Sequence, residues 1–134
     1  VQNTPKVKPL LAGKNIEANS YIITPKEAVY CEKGKKIGIV LDTEYFDELA
    51  EFVKNSDLLI SEGTFSNKLK KKARERGGHM TVKDAAKLAK RSKSKILYVC
   101  HFSQRYKDTR DLEKEASSVF KNTRFAKDFD RISI

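Results

Sequence analysis

The apolar positions of this chain fall into two alternating patterns, short β-branched runs and stretches with a helical period. The runs "KIGIVLD" (36–42), "DLLISEG" (57–63) and "KILYVCHF" (95–102) are apolar and bounded by polar or turn residues, which predicts three buried strands. Between them the spacing changes. In "TEYFDELAEFVKN" the residues Phe46, Leu49, Ala50 and Val53 recur at i, i+3, i+4 and i+7, predicting a helix with Thr43 as its N-cap. "TFSNKLKKKARER" reads as a mostly charged helix ending at Gly77-Gly78. "TVKDAAKLAKRS" begins with Thr81 and Asp84 at capping-box spacing, and Val82, Ala85, Ala86 and Ala89 form its inner stripe. "TRDLEKEASSVFKN" (109–122) turns Leu112, Ala116 and Val119 inward, and the period-2 pair Ile132 and Ile134 predicts a last strand. The first 35 residues are less regular. "KPLLAGKNI" and "YIITPKEAVY" predict short strands broken by Pro9, Gly13, Asn19 and Pro25. Strand and helix alternate, so the expected class is α/β, in one domain.

Composition narrows the choice of partner. With 28 basic and 18 acidic residues the net charge is +10, which favours a polyanion, and "KLKKKARER" (68–76) and "KLAKRSKSK" (87–95) concentrate it. Phosphate binding by such blocks releases counterions and depends on salt. A lysine-rich soluble surface is the plainer reading of the same charge. No apolar run is long enough to span a membrane, and the first ten residues carry Lys6 and Lys8 rather than a secretory signal. Cys31 and Cys100 are therefore read as reduced thiols in a cytoplasmic protein. The chain opens "VQNTPKV" without methionine, which reads as a trimmed, cleaved or fragmentary chain.

The polar residues that end the strands carry the chemistry. Asp42 closes "IGIVLD", Glu62 closes "DLLISE" and His101 closes "ILYVCH". In open α/β sheets ligands bind beyond the carboxyl ends of strands, so parallel pairing would gather all three on one rim. His79 precedes the helix capped by Thr81. Taken singly each has a plain reading, as a turn residue, a surface carboxylate or a structural histidine. Together they suggest metal-assisted hydrolysis. Imidazole and carboxylate are ordinary zinc ligands, a second histidine can protonate a leaving alkoxide, and Ser103 and Arg105 in "HFSQRY" suit a phosphate.

In that order "VLDTEYFDEL", "LLISEGTF", "GHMT" and "HFSQRY" resemble the C-terminal half of ribonuclease Z, the tRNA 3′-processing endoribonuclease of the metallo-β-lactamase superfamily. "HFSQRY" is the most specific piece, matching an H-x-S-x-R-Y pattern. The resemblance implies that Asp42 bridges two zinc ions and that His101 ligates one of them. It implies that His79 donates a proton to the leaving 3′-oxygen, that Glu62 supports His79, and that Thr81, Ser103 and Arg105 face the scissile phosphate. It implies a homodimer that acts on precursor tRNA. The middle residue of the family's H-S-T motif is Met80 here, and Leu41 stands before Asp42 where glycine is common.

The family's H-x-H-x-D-H motif occurs nowhere in the chain, and no further histidine is available beyond the two already named. Two histidines and one aspartate cannot complete two zinc shells of about four ligands each. Three explanations stand open: a C-terminal fragment, one half of a split enzyme, or a relative that has lost catalysis. Retention of Asp42, His79 and His101 together favours the first two. Residues 1–134 would then be the C-terminal portion of a four-layer αββα sandwich, one mixed sheet with helices on its outer face. The inner face should be apolar and require the N-terminal half as its partner, with Leu41, Ile60, Val99 and Phe102 near the seam. The competing functions are a basic module that grips RNA without cutting, and a hydrolase of the same superfamily acting on another phosphodiester.

Overall fold

A computed structural model describes residues 7–18, 20–30, 32–75 and 77–134. Cys31, Asn19 and Arg76, the last within the first basic block, lie outside the described residues. The chain forms two compact units, Val1–Gly34 and Lys35–Ile134. In the first, helix α1 (Lys8–Leu11) precedes an antiparallel hairpin of β1 (Ile16–Ala18) and β2 (Tyr21–Ile23), followed by α2 (Pro25–Ala28). Thr24 and Glu27 make a capping box at the start of α2, with Pro25 in its first turn.

The second unit is a sheet of β3 (Ile37–Val40), β4 (Leu58–Glu62), β5 (Ile96–Cys100) and β6 (Thr123–Phe125), in that spatial order and parallel throughout. Among the described residues antiparallel pairing is confined to the β1–β2 hairpin, so the two pairing types are divided between sheets. The crossovers carry α3 (Glu48–Phe52), then α4 (Lys70–Glu75) and α5 (Val82–Arg91), then α6 (Arg110–Ser117). Right-handed crossovers between strands laid down in sequence put their helices on one face, and α5 packs between α3 and α6 against β4 and β5. The α/β class is as the sequence predicts.

Helix α5 is the best specified element. The Thr81 hydroxyl accepts from the Asp84 amide and donates to the Asp84 carboxylate, closing the predicted capping box. Burial alone would raise the Asp84 carboxyl, but hydrogen bonds from Lys70 and Thr81 outweigh it and hold the group below the ordinary carboxylate range. Val82, Ala85, Ala86, Leu88 and Ala89 are buried with Val40, Leu59, Leu97 and Val99 of the sheet, Leu49, Ala50 and Val53 around α3, and Leu112 and Ala116 of α6.

Register separates the two sheet faces. Val40, Ser61, Val99 and Phe125 lie side by side, as do Gly38, Leu59, Leu97 and Thr123. These sets hold the strand residues that join the helix-covered core. The alternate set includes Ile39, Ile60 and Tyr98 in register. At its β3 edge Ile37, Ile39 and Leu41 are 50%, 57% and 46% exposed. Leu41 and Ile60 thus fit the expected seam. Val99 does not, because it is fully buried on the helix side. Phe102 also turns to that side, stacked on Phe125 with centroids 4.9 Å apart.

Several elements differ from the sequence expectation, among them Lys8–Leu11 and Pro25–Ala28, which are helical where the sequence predicts strands. Helix α3 begins at Glu48 rather than after Thr43, and Phe46 is 46% exposed. Thr43 does not cap α3, because the N-cap position is Asp47 and the Thr43 hydroxyl donates to Glu44 O; its amide donates to the Glu62 carboxylate at 2.7 Å, which holds residues 42–43 at the strand tips. The last strand is Thr123–Phe125 and not Ile132–Ile134, which have no regular structure. β5 offers its free edge to the nearer segment, at Leu97–Val99.

Gly63 marks the tightest contact at the end of β4. A Cβ there would lie 2.4 Å from Val99 Cγ1 and 2.9 Å from Val82 Cγ1. Gly63→Ala is expected to lower stability by about 1–3 kcal/mol through overpacking, read as a fall in the midpoint of chemical unfolding. An unchanged midpoint would show that the β4–α5 junction is looser than described.

Candidate metal centre

Parallel strands bring their C-terminal tips to one rim, and the residues just past them turn sharply. Asp42 has φ 51° and His101 φ 57°, left-handed conformations that cost a non-glycine residue free energy. One buried side chain, Glu62, the last residue of β4, lies 3.8 Å from His101 Nδ1 and accepts from the amide of Thr43, the residue after Asp42. His79 arrives from the α4–α5 connection, where Gly77 and Gly78 take φ of 95° and 73° and let the backbone reverse.

Asp42, His79 and His101 each offer a ligand atom, and the three atoms lie within 4.8 Å of one another. Asp42 Oδ1 is 3.6 Å from His101 Nε2 and 4.0 Å from His79 Nδ1. Two ligands each about 2 Å from a tetrahedral ion would stand roughly 3.3 Å apart, so Asp42 and His101 fit a divalent metal such as zinc. The imidazole rings of His79 and His101 are 5.3 Å apart by centroids.

Glu62 is fully buried and accepts three hydrogen bonds. The Thr43 amide donates to Oε1 at 2.7 Å, and the Thr64 hydroxyl to Oε2 at 2.6 Å. His79 Nδ1 lies 2.9 Å from Oε2. A carboxylate only accepts, so His79 carries its proton on Nδ1 and leaves Nε2 outward. The rim is tied together by main-chain bonds as well. Gly63 N–H donates to Cys100 O, Thr64 N–H to Met80 O, Val82 N–H to Phe65 O and Ser103 N–H to Thr64 O, at 2.9 to 3.1 Å. Tyr106 of "HFSQRY" accepts from the Ser66 amide through its hydroxyl at 2.9 Å. Residues 62–66 therefore form a spine between the "GHMT" and "HFSQRY" segments.

The remaining predicted residues divide. Arg105 Nε donates to Ser103 Oγ at 2.9 Å, and its guanidinium lies 5.0 Å above the Phe65 ring, whose centroid is 6.4 Å from that of His79. Ser103 and Arg105 thus stand beside the histidines. Thr81 does not join them, because it is fully buried with its hydroxyl engaged by Asp84. The Met80 side chain is buried in the core, so where the family has a hydroxyl this chain presents none to the rim. Thr64 and Thr43 are the residues that sequence reasoning missed. Thr64 stands two positions beyond Glu62, the only sequence signal that it belongs here. Cys100 is a free thiol at the end of β5. Burial, then the nearby Glu62 and Asp42 carboxylates, raise its pKa, so it is not a ready thiolate ligand. A cavity of about 30 Å³ adjoins His79, lined by Glu44, Tyr45, Lys70, Arg74 and Asp84, with room for water rather than an organic group.

No family model matches the chain. It is 42% identical over 113 residues to "Ribonuclease Z" of Borreliella burgdorferi, which covers 81% of the chain and 35% of that protein. It is 39% identical over 123 residues to "Ribonuclease Z" of Nitrosopumilus maritimus, 91% of the chain and 41% of that protein. Among solved structures, the short form of human tRNase Z (ELAC1) matches with a TM-score of 0.59 and 32% identity, over 84% of the chain and 36% of that one. The metallo-β-lactamase fold protein YhfI from Bacillus subtilis matches with a TM-score of 0.58 and 32% identity, over 66% of the chain and 36% of that one. The chain spans 35–41% of the length of these proteins, and its α/β layers match part of a metallo-β-lactamase fold.

Glu62→Gln tests the hub. An amide nitrogen cannot accept, so either the Thr43 amide loses its acceptor or both the Thr64 hydroxyl and His79 Nδ1 must give up donating to this side chain. The expected loss is about 1–3 kcal/mol in chemical unfolding. An unfolding midpoint equal to that of the parent chain would refute the three-donor arrangement.

Proposed function

We propose that this chain, a relative of ribonuclease Z over about 35% of that enzyme's length, is the C-terminal portion, residues 1–134, of a metallo-β-lactamase-type domain. It contributes half the active site of a zinc-dependent endoribonuclease that removes 3′ trailers from precursor tRNA in the cytoplasm. The observation that carries this reading is the convergence of the Asp42 carboxylate and His101 Nε2, 3.6 Å apart, with His79 beside them.

Asp42 and His101 would hold zinc, which when bound supplies Lewis acidity toward a phosphoryl oxygen and activates water. His79 is anchored through Nδ1 to Glu62, so Nε2 is the atom from which it passes a proton to the leaving 3′-oxygen. Glu62 acts through His79 and is a positioning residue. Arg105, steadied by Ser103 and the Phe65 ring, receives the phosphate, and Thr81 is left to its cap. The remaining zinc ligands come from an N-terminal half with the H-x-H-x-D-H motif, in the same polypeptide or a second chain. The shorter length of this chain and the exposed Ile37, Ile39 and Leu41 support that completion. The complete protein is read as a homodimer. The basic blocks 68–76 and 87–95 suit a polyanionic substrate, with salt-dependent binding.

Supplied with the missing half, zinc and precursor tRNA, the chain should cleave at the 3′ trailer, and His101→Ala should reduce the rate by at least about 100-fold, as loss of a metal ligand would. Full activity in His101→Ala would overturn the assignment. YhfI, described only by its metallo-β-lactamase fold, matches as well as tRNase Z, which leaves room for a second reading, a superfamily hydrolase of another phosphodiester. Zinc-dependent turnover of bis(p-nitrophenyl) phosphate without cleavage of precursor tRNA would support it. By itself at low micromolar concentration the chain should associate and bind an apolar dye through the β3 face. A monodisperse monomer in sedimentation that binds no dye would count against a missing half.

A further inference from the structure

We infer that Thr64 selects the tautomer of His101, and so directs the lone pair of Nε2 toward Asp42. His101 Nδ1 lies 3.8 Å from Glu62 Oε2, too far for a hydrogen bond between them. The Thr64 hydroxyl bridges this gap, 2.6 Å from Glu62 Oε2 and 2.9 Å from His101 Nδ1. A hydroxyl has one proton. The Glu62 carboxylate can only accept, so that proton is donated to Glu62, and the Thr64 oxygen must accept at its other contact. His101 therefore carries hydrogen on Nδ1 and is bare at Nε2, the atom that faces Asp42 Oδ1 at 3.6 Å. One buried carboxylate thus sets both histidines, His79 directly and His101 through Thr64.

The hydroxyl is well placed for this task. Thr64 is 6% exposed. Its amide is bonded to Met80 O and its carbonyl to the Ser103 amide, so it is held from the segments that carry His79 and His101. Outer groups that orient a ligating imidazole commonly affect metal affinity by 10–100-fold. The tautomer follows from these contacts alone, whereas its use in holding zinc rests on the reading proposed above.

The test is long-range 1H–15N correlation of the imidazole nitrogens in the metal-free chain, at a pH well above the ordinary histidine range, together with calorimetric titration of zinc into the chain supplied with the N-terminal half. The parent chain should show hydrogen on Nδ1 in both histidines. Thr64→Val should shift His101 toward a mixture of tautomers, leave His79 on Nδ1 because Glu62 accepts from it directly, and weaken zinc binding about 10–100-fold. Thr64→Ser, which keeps the hydroxyl, should behave as the parent, and it carries the comparison should Thr64→Val fail to fold by circular dichroism. Hydrogen on Nε2 of His101 in the parent chain would overturn the inference, as would a folded Thr64→Val with His101 unchanged. Nδ1–H on His101 in the parent chain, with no zinc bound once the N-terminal half is supplied, would support the role of Thr64 while sinking the metal reading.

Discussion

The rim of this molecule depends on a carboxylate withdrawn from water. Glu62 is fully buried at the end of a central strand, where an ionised group is stable only if its lone pairs are occupied. The Thr43 amide, the Thr64 hydroxyl and His79 Nδ1 occupy them. Each of these donors belongs to a different segment of the rim. The need to satisfy one buried group therefore fixes the loop that carries Asp42, the spine after β4 and the approach to α5. Were Glu62 exposed, each donor would have water as an alternative partner, and the three segments would have no common anchor.

Backbone strain follows the same geography. Asp42 and His101 both adopt positive φ just beyond β3 and β5, the two parallel strands that flank β4. Left-handed residues persist where the surroundings overdetermine them. Here the surroundings are the bond from the residue after Asp42 to Glu62 and the Thr64 contact to the His101 ring. Extended continuation of β3 and β5 would place both side chains on the helix-covered face with Val40 and Val99, whereas the left-handed turns are accompanied by their convergence at the rim.

The sheet itself is unequal on its two sides. The helix-covered side is closed by Ala-rich α5 with Leu49, Val53, Leu112 and Ala116, and a small residue at Gly63 allows α5 to approach the end of β4. The other side retains Ile37, Ile39 and Leu41 in contact with solvent at the β3 edge. An all-apolar strand is what a two-sided burial would select. The chain thus carries a strand suited to a sandwich together with one of the layers that would complete it.

Sequence alone determined the local elements of this protein. Three apolar runs became β3, β4 and β5, the Thr81–Asp84 spacing became a capping box, and Asp42, Glu62 and His101 were legible as residues at strand ends because those runs stop at them. The resemblance on "HFSQRY" and its companion segments added candidate roles that periodicity could not supply. Tertiary structure decided the rest. Thr64 and His101 are 37 positions apart, and Thr43 and Glu62 are 19 apart, so no local pattern encodes their hydrogen bonds. Thr81 reads equally well as a cap or a phosphate contact until burial assigns its hydroxyl to Asp84. Val99 and Ile60 belong to similar apolar runs, and only the register and the position of α5 send one to the core and the other to the open side. Local propensity acts through neighbours along the chain, whereas tautomer, burial and face depend on groups that meet only when the sheet closes.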